Sequence, residues 1–302
     1  MASTYQTYMI IRPFAADDRT LWHEPDLPSD DRPIPNSEAW KSFIDSDEED
    51  LRCRQIALDG DRCVGWLHVS RIDEDVFAIR RVRSTIEHDA KTIGTALFSS
   101  LASSFAGEPL NILSSDRPFA QPINRMLLAA GYGLQSSKIY VERQLEGYTS
   151  PYHDPFLYRS LSEVGEEQFI RILAEAATGD PFEDAAASPE ARFRRLVNYA
   201  GNAFDPERWM VAYAGNEEIG VILPQSYYDQ PQQGTLFYIG VMPRHRRRGY
   251  GPILHATGLA MLAHQGVQEY VGTTDVRNHA MIRVFKRNGC RQKLVQLLYK
   301  AP

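Results

Sequence analysis

The same short pattern occurs twice in this chain, 155 residues apart. Residues 58–65 join two apolar runs in the first half, and residues 213–220 join two apolar runs in the second. A glycine-containing turn between two such runs predicts a β-hairpin. The same offset relates Gly94 to Gly249. Agreement at three places favours duplication of a unit of about 150 residues, so we expect the chain to fold as two copies of one domain.

The two halves also begin alike, each with a short apolar run followed by a polar, helix-prone stretch. Residues 8–12 and 156–158 are the predicted first strands. Residues 147–155 are rich in turn-forming residues and are the natural linker. We therefore place the domains at residues 1–147 and 148–302, in agreement with a length of 302 residues.

Charge is unevenly distributed along the chain. There are 33 Lys and Arg and 39 Asp and Glu, and the net charge of −6 argues against a nucleic-acid partner. Residues 244–302, however, contain 11 basic and 2 acidic residues, a net charge of +9, while the rest of the chain is acidic. A basic segment on an acidic protein predicts a local site for an anion.

The cysteine and histidine contents exclude several classes of protein. Cys53, Cys63 and Cys290 have no C-x-x-C spacing, so we expect no disulfide framework and a reducing compartment. The start of the chain lacks the pattern of a signal peptide, and no apolar run approaches 18 residues, so we expect a cytoplasmic protein with no membrane partner. The eight histidines show no metal-ligand spacing, and no metal is expected.

The basic segment begins with a strand, a loop rich in arginine and glycine, and a helix. Residues 235–241 predict the strand and residues 253–265 the helix. The loop between them contains RHRRRGYG, and Pro252 suits the first helical position. Glycines allow close backbone approach, a helix N-terminus offers free N–H groups and arginines add charge, which predicts a phosphate or pyrophosphate site. The alternatives are a solvated arginine face and a nucleic-acid site, and the latter lacks interleaved aromatic residues.

This segment resembles the acyl-CoA pyrophosphate loop of the GNAT N-acetyltransferase superfamily, whose pattern is Gln/Arg-x-x-Gly-x-Gly/Ala. Arg246, Gly249 and Gly251 match that pattern between a strand and a helix, and residues 278–290 resemble the family's next helix and turn. The resemblance implies an α/β fold of the α+β layered type with two tandem domains. Each domain would have a mixed, mostly antiparallel central sheet flanked by helices. It also implies acetyl-CoA as the cosubstrate.

The first half resembles the same family in a degenerate form. Residues 91–96 stand where the pyrophosphate loop is expected, with Lys91 in place of Gln or Arg. Glu87 and Asp89 precede them, and their negative charge opposes phosphate binding. We expect a structural or substrate-shaping copy, with residual CoA binding as the alternative. The tandem arrangement is shared with mycothiol synthase, and nothing in the residues ties the acceptor to that enzyme's.

The same resemblance implies which residues bind the cosubstrate. Val241 and Met242, at the end of the strand, would meet the pantetheine arm, Asn278 would hydrogen-bond that arm, and Phe285 would pack beside its thiol end. The loop residues that would hold the pyrophosphate are Arg246, Arg247, Arg248, Gly249, Tyr250 and Gly251. The alternatives are a helix N-cap for Asn278 and a core aromatic residue for Phe285.

The implied reaction is attack of an amine on the acetyl thioester, which needs a base and an acid. Phe285 occupies the position of the family's usual tyrosine acid, and residues 235–241 contain no carboxylate. Tyr238, Tyr250 and Asp275 are the remaining candidates, each with a structural role as its alternative. Water-mediated proton transfer and groups from the first half are further alternatives.

We therefore predict an acetyl-CoA-dependent N-acetyltransferase for a small-molecule amine. The alternative is a non-catalytic acyl-CoA-binding or sensor protein. Residues 180–184 and 225–229 carry carboxylates and aromatic rings that suit a cationic acceptor, or they are simply polar surface loops. The sequence identifies neither the acceptor nor the oligomeric state, which we expect to be a monomer or homodimer.

Overall fold

A computed structural model describes residues 9–20, 43–45, 50–84, 89–180 and 187–302. The chain forms two units, one made of Met1–Ser137 with Val295–Pro302 and the other of Lys138–Leu294. Three sequence predictions fall partly outside the described residues, namely residue 8 of the first strand, Glu87, and residues 181–184 of the first acceptor segment.

A mixed sheet organises the first unit. Its described strands follow the order β1-β2-β3-β4-β5-β12, and each pair is antiparallel except the parallel pair β4 and β5. The strands are β1 (Ile10–Pro13), β2 (Arg54–Asp59), β3 (Arg62–Arg71), β4 (Val76–Ser84), β5 (Asn111–Ser115) and β12 (Arg291–Lys300). The helices are α1 (Ala90–Ser104) and α2 (Gln121–Ala129), with 3₁₀ turns at Ala16–Thr20, Leu51–Cys53 and Pro118–Ala120.

The second unit repeats this arrangement, with the order β7-β8-β9-β10-β11-β6 and a single parallel pair, β10 and β11, among its described strands. The strands are β6 (Gly133–Gln144), β7 (Leu157–Ser160), β8 (Met210–Ala214), β9 (Glu217–Ser226), β10 (Gln233–Val241) and β11 (Glu269–Asp275). The helices are α3 (Leu161–Val164), α4 (Glu166–Ala177), α5 (Pro189–Ala200), α6 (Tyr250–His264) and α7 (His279–Arg287), with 3₁₀ turns at Gly201–Ala203 and Pro243–His245. The predicted mixed, mostly antiparallel sheets are confirmed.

Each sheet is completed by a strand from the other half of the sequence. Residues 296–300 of β12 pair with residues 111–115 of β5, and residues 138–144 of β6 pair with residues 269–275 of β11. The unit boundary therefore lies ten residues before the boundary expected at residue 147, and the last eight residues belong to the first unit. An apolar pattern reveals a strand, but its partner depends on contacts that are remote in sequence.

The hairpins that revealed the repeat have the same irregularity in both units. One residue is inserted between the pairs of Ala57 and Leu58, and one between the pairs of Ala212 and Tyr213, 155 residues later. The turn glycines Gly60 and Gly215 have φ angles of 59° and 60°. Such bulges are specific features of a strand pair, so their agreement supports duplication.

The third coincidence, between Gly94 and Gly249, is not structural. Gly94 lies inside helix α1, where an added Cβ would stand 2.4 Å from Sδ of Met126, whereas Gly249 precedes helix α6 in the left-handed conformation. Five residues (85–89) separate β4 from α1, and eight (242–249) separate β10 from α6. The offset is therefore 155 residues from β3 to β9, 157 from β4 to β10 and 160 from the start of α1 to the start of α6, and residues 91–96 form helix and not a loop.

Alternation along β8 and β9 builds two cores in the second unit. Val211 and Val221 face the core made with α4 and α5, while Ala212 and Ile222 face the core made with α6 and α7. Because neighbouring strand residues point to opposite faces, both sides of the sheet are covered by helices. Strand β10, which leads into the loop of the basic segment, therefore lies between two layers of helices.

Candidate functional site

An open cleft of about 530 Å³ lies in the second unit where β10 ends. Its walls are the end of β10, the following loop, the first turn of α6, one face of α7 and residues just after α4. The positions that the sequence assigns to the anion loop therefore border a cavity large enough for a sizeable ligand.

Separation of two strands opens the floor of the cleft. Strands β10 and β11 are paired only at Gln233 with Glu269 and at Gly234 with Tyr270. Beyond this point, residues 238–241 of β10 line the cleft instead of pairing with β11. A strand edge of this kind offers backbone N–H and C=O groups to an extended ligand.

The loop after β10 has a conformation suited to binding an anion. Arg247 and Gly249 have positive φ angles of 62° and 84°. The amides of residues 247–249 donate to no acceptor in the part of the chain that the structure describes, and no side chain caps helix α6. Successive free amides at a helix N-terminus form a concave anion site, and the helix dipole adds to it. Helix α6 begins at Tyr250. Pro252 is therefore the third residue of the helix, whereas the sequence analysis predicted it at the first position.

The arginines of the basic segment have different roles. Arg244 binds Glu175, and Arg246 donates to the carbonyls of Val241 at 3.1 Å and Ala176 at 2.9 Å, so both hold the loop against β10 and α4. Arg246 and Arg247 both line the cleft. The Arg248 side chain is exposed outside the cleft lining, so only its backbone amide is left for the predicted role.

Two cleft arginines were missed by the sequence analysis. Arg283 and Arg287 line the cleft from helix α7, on the same face as Ala280 and Val284. Their spacing of four residues is that of neighbours on a helix face, and this signal could have found them. With Arg246 and Arg247 they bring the number of arginines in the described cleft lining to four.

Two predicted cofactor-binding side chains lie in the core instead. Met242 is fully buried, and its amide donates to the carbonyl of Ile219 at 2.9 Å. Phe285 is 2% exposed and packs edge-on against the His255 ring, with 5.5 Å between centroids. Phe285 sits on the face of the amphipathic helix that points to the sheet, so the alternative of a core aromatic is correct. Val284, the preceding residue, lines the cleft.

Asn278 is placed where it caps a helix and also lines the cleft. Its side chain caps helix α7 by accepting the Met281 amide at 3.0 Å, as the N-cap alternative states. It also lines the cleft, together with Gly251 and Val241. Capping uses Oδ1, so the side-chain amino group is the part that could meet a ligand.

The three acid–base candidates are separated by the structure. Tyr238 and Tyr250 line the cleft, whereas Asp275 does not. The Arg277 guanidinium binds Asp275 at 2.9 and 3.1 Å and holds the pKa of that carboxyl below its usual value. Asp275 is therefore a paired structural carboxylate, which leaves two tyrosine hydroxyls as the candidates within the cleft.

The predicted acceptor segments reach the cleft at only one described residue, Asp180. Gln225 is buried in the second unit and donates to the carbonyls of Ala203 and Ser226 at 2.9 and 3.0 Å. Residues 225–229 do not line the cleft, so they do not form its acceptor side.

Beside the cleft wall lies a fully buried histidine. Nδ1 of His255 accepts from Nδ2 of Asn288 at 2.9 Å, and Nε2 lies 3.2 Å from the hydroxyl of Tyr270. Burial, assisted by the charge of Arg143, lowers the pKa of His255 to about 3. The neutral ring joins α6 to β11 and to the end of α7, and so supports the helix that carries Arg283 and Arg287.

This histidine predicts a pH-dependent stability. The unfolded chain binds a proton below pH 6.5 and the folded chain does not, so the contribution of neutral His255 is complete above pH 6.5 and is lost towards pH 3. Between pH 6.5 and 5 the loss is about 2 kcal/mol. We expect His255→Gln to reduce the pH dependence of the free energy of unfolding, measured in urea, by about this amount. His264→Gln, at an exposed position on the same helix, should keep the wild-type dependence, and an unchanged slope in His255→Gln would contradict the assignment.

Thiol and metal chemistry have no support in the described part of the chain. Cys53, Cys63 and Cys290 form no disulfide, and burial raises the pKa of Cys290 to about 12. Among the described residues no three His, Cys, Asp or Glu side chains are grouped to hold a metal ion, and no helix is long and apolar enough to cross a membrane.

Comparison with known sequences identifies relatives of part of this chain. Residues 169–290 match the profile of the acetyltransferase (GNAT) family. A mycothiol acetyltransferase from Streptomyces scabiei is 30% identical over 98 residues, which are 32% of each chain. Another, from Thermobispora bispora, is 24% identical over 183 residues, 57% of this chain and 60% of the relative. The matches thus span between a third and three fifths of the relatives' length.

Similar solved structures extend over nearly the whole chain. A GCN5-related N-acetyltransferase from Sphaerobacter thermophilus gives a TM-score of 0.58 at 17% identity and covers 97% of this chain and 95% of its own. A tandem GNAT protein from the clavulanic acid biosynthesis pathway gives 0.50 at 15% identity, with coverage of 97% and 98%. At these identities the likeness is one of fold, and it extends over both units.

Proposed function

We propose that this chain, a tandem-domain protein whose residues 169–290 belong to the GNAT acetyltransferase family, transfers an acetyl group from acetyl-CoA to a small-molecule amine. The observation that carries the proposal is the loop after β10, where the amides of residues 247–249 donate to no described acceptor and where Arg247 and Gly249 line a cleft bordered by arginines. The relatives' names support acetyl transfer, and the acceptor remains to be identified.

The cleft offers groups for two parts of acyl-CoA, the pyrophosphate and the pantetheine arm. The amides of residues 247–249 and the first turn of α6 would hold the pyrophosphate, with Arg247 beside them. The unpaired edge of residues 238–241 would hydrogen-bond the amide groups of the pantetheine arm, together with Asn278. When bound, acetyl-CoA supplies the thioester that the amine attacks.

Acetyl transfer requires two proton transfers. The amine must lose a proton before or during attack, and the departing thiolate must gain one. Tyr238 and Tyr250 line the cleft, and a tyrosine hydroxyl can donate or accept a proton. The Tyr238 hydroxyl donates to the Ala176 carbonyl at 3.5 Å. We assign Tyr238 to the acceptor side because it lies on the strand that forms the cleft floor. Tyr250 begins the helix beside the pyrophosphate loop, and the pantetheine arm separates the pyrophosphate from the thiol, so the departing thiolate would take its proton from water.

The first unit is proposed to be the degenerate copy. The carboxylate of Asp89 accepts the Lys91 amide at 3.1 Å and the Thr92 hydroxyl at 2.6 Å, so it caps the helix that would otherwise meet a phosphate. Residues 85–89 contain neither glycine nor arginine. A capped, negatively charged helix start does not bind a second anion well.

The arginines of α7 are expected to contribute strongly to acetyl-CoA affinity. Replacing Arg283 and Arg287 together by glutamine removes two positive charges from the cleft and should weaken binding about 30-fold. The loss should shrink at high salt because the contacts are solvent-exposed. Calorimetry at low and high salt measures both effects. Lys286→Gln, on the same helix but outside the cleft lining, is the matched control, and an equal loss in that variant would contradict the assignment.

The alternative function is a non-catalytic acyl-CoA binder. Three observations favour it. A buried phenylalanine, Phe285, stands at the position of the family's usual tyrosine acid. Asp275 is held in an ion pair, and strand β10 contains no carboxylate in residues 235–241. Calorimetry with acetyl-CoA and thiol release across a broad amine panel separate the two functions. Binding with turnover of any amine establishes the enzyme, binding without turnover establishes the sensor, and no binding at millimolar acetyl-CoA rejects both.

A further inference from the structure

A second, smaller cavity lies beside the cleft in the same unit. It has a volume of about 90 Å³ and is bounded by the last turns of α4, the start of α5 and two residues of β10, Phe237 and Tyr238. Tyr238 lines both this cavity and the cleft. We name this cavity the Tyr238 side pocket.

A β-bulge explains why Tyr238 reaches the side pocket. Leu236 pairs with Pro224 and Ile239 pairs with Ile222, so that Phe237 and Tyr238 together stand opposite the single residue Leu223. In a regular strand consecutive side chains point to opposite faces, whereas a bulge turns one of them to the side of its neighbour. The Tyr238 ring thereby forms a wall shared by the cleft and the side pocket.

The described lining of the side pocket is apolar apart from Tyr238 and two arginines, Arg192 and Arg195. Arg192 is half-buried, and its Nε donates to the Ala187 carbonyl at 3.3 Å, which uses one of its five N–H groups. No carboxylate belongs to this lining within the described residues. A guanidinium among apolar walls attracts an anion more strongly than the same group in water.

We propose that the Tyr238 side pocket binds an anionic group of the acceptor, so that the substrate is a small amine that also carries a carboxylate or a phosphate. This inference rests on the proposed function and names the class of its acceptor. The volume is that of about three water molecules, enough for one anionic group with one or two carbons. The amine would then lie past the Tyr238 ring, in the cleft. The cationic acceptor expected from the sequence is thus replaced by a zwitterionic one.

Matched amines test the proposal in the full-length protein. Thiol release is measured with 3-aminopropanoate, 2-aminoethyl phosphate, the neutral amide 3-aminopropanamide and the cation 1,3-diaminopropane. We expect kcat/KM for one or both anionic amines to exceed that for the amide at least tenfold. The two anionic arms distinguish a carboxylate from a phosphate.

Two variants on one helix separate recognition from folding. Arg192→Gln should lower kcat/KM tenfold or more for the preferred anionic amine, and less than twofold for the amide, with acetyl-CoA affinity unchanged. Arg194→Gln is the matched control, because Arg194 is exposed on the same helix, lies 3.8 Å from Glu166 and does not line the pocket. Arg192→Glu should shift the preference towards 1,3-diaminopropane.

The outcomes distinguish failure of this inference from failure of the proposed function. Equal use of the amide and the anionic amines, or an equal loss for all amines in Arg192→Gln, overturns the side pocket and leaves acetyl transfer intact. If acetyl-CoA binds and no amine reacts, calorimetry of the two anionic amines in the presence of CoA decides. Binding that Arg192→Gln abolishes then supports the side pocket without catalysis, and absence of binding overturns it.

Discussion

Replacing Gly249 by aspartate is expected to weaken acetyl-CoA binding more than 100-fold while the protein stays folded. Gly249 precedes helix α6 with φ of +84°, and an added Cβ would meet no atom within 4 Å. The variant therefore creates no clash and costs only about 1 kcal/mol of backbone strain. Its carboxylate, however, would cap the free amides of the helix and repel the phosphates that we propose to bind there.

Two controls isolate the charge from the strain. Gly249→Ala has the same backbone cost without the carboxylate and should lose much less affinity. Gly215→Asp places an aspartate at φ of +60°, again with no atom within 4 Å, in a hairpin turn outside the cleft lining, and should bind acetyl-CoA normally. Calorimetry gives the dissociation constants, and circular dichroism checks the fold. Equal affinities in Gly249→Asp and Gly249→Ala would show that the loop does not bind the phosphates.

The first unit already has the arrangement that this substitution introduces. Asp89 occupies the N-cap of α1 and binds the helix amides that Gly249 leaves free in the second unit. The contrast between an aspartate and a glycine at the two helix starts offers a physical reason for assigning the anion site to one unit alone.

Local patterns were sufficient to predict the elements that frame the cleft. The two hairpins, strand β10 and the following helix all appear at or near their predicted positions, because apolar spacing and turn glycines act over a few residues. Helix α6 begins at Tyr250, two residues before the predicted first position at Pro252, because Gly249 in the left-handed conformation precedes its start.

Pairing between remote segments could not be predicted in this way. Nothing within the sequences of β6 or β12 indicates that each strand joins the sheet formed by the other half of the chain. The domain boundary predicted at residue 147 therefore assigned both strands to the wrong sheet. The predicted correspondence between Gly94 and Gly249 was wrong for a related reason. The offset of 155 residues holds through the first hairpin of each unit, but it grows by two before β10 and by three more before α6, because the connecting segments are longer in the second unit.

Within the site, residue type predicted the chemistry better than it predicted individual roles. The arginine-rich loop borders a basic cleft, as its composition indicated, and Arg246 both lines that cleft and binds two backbone carbonyls. Arg283 and Arg287, which the sequence analysis did not single out, also line it. Phe285 is buried because it lies on the apolar face of a short amphipathic helix, a signal that was present in the sequence.

Replacing Gly220 by alanine is expected to lower the free energy of unfolding of the second unit by about 3 kcal/mol or more. Gly220 lies in β9, where an added Cβ would stand 2.2 Å from the carbonyl oxygen of Gly240 and 2.9 Å from Cδ1 of Leu254. The oxygen belongs to the backbone of β10, so relief requires the two strands to separate. Because residues 238–241 form the cleft floor, the same movement should weaken acetyl-CoA binding.

Its counterpart 155 residues earlier provides the matched control. An alanine at Gly65 would meet Cγ2 of Ile93 at 2.5 Å and the Arg83 carbonyl oxygen only at 3.1 Å. Cγ2 of Ile93 is bonded to Cβ of a buried helical residue and yields only if its helix shifts, whereas at Gly220 two paired strands must separate, so Gly65→Ala should cost less, about 2 kcal/mol, and leave acetyl-CoA affinity unchanged. Hydrogen exchange reports the two units separately: Gly220→Ala should reduce protection in β9 and β10, and Gly65→Ala should reduce it less in β3 and β4. An equal or larger loss in Gly65→Ala would mean that the backbone contact between β9 and β10 does not determine the stability of the cleft.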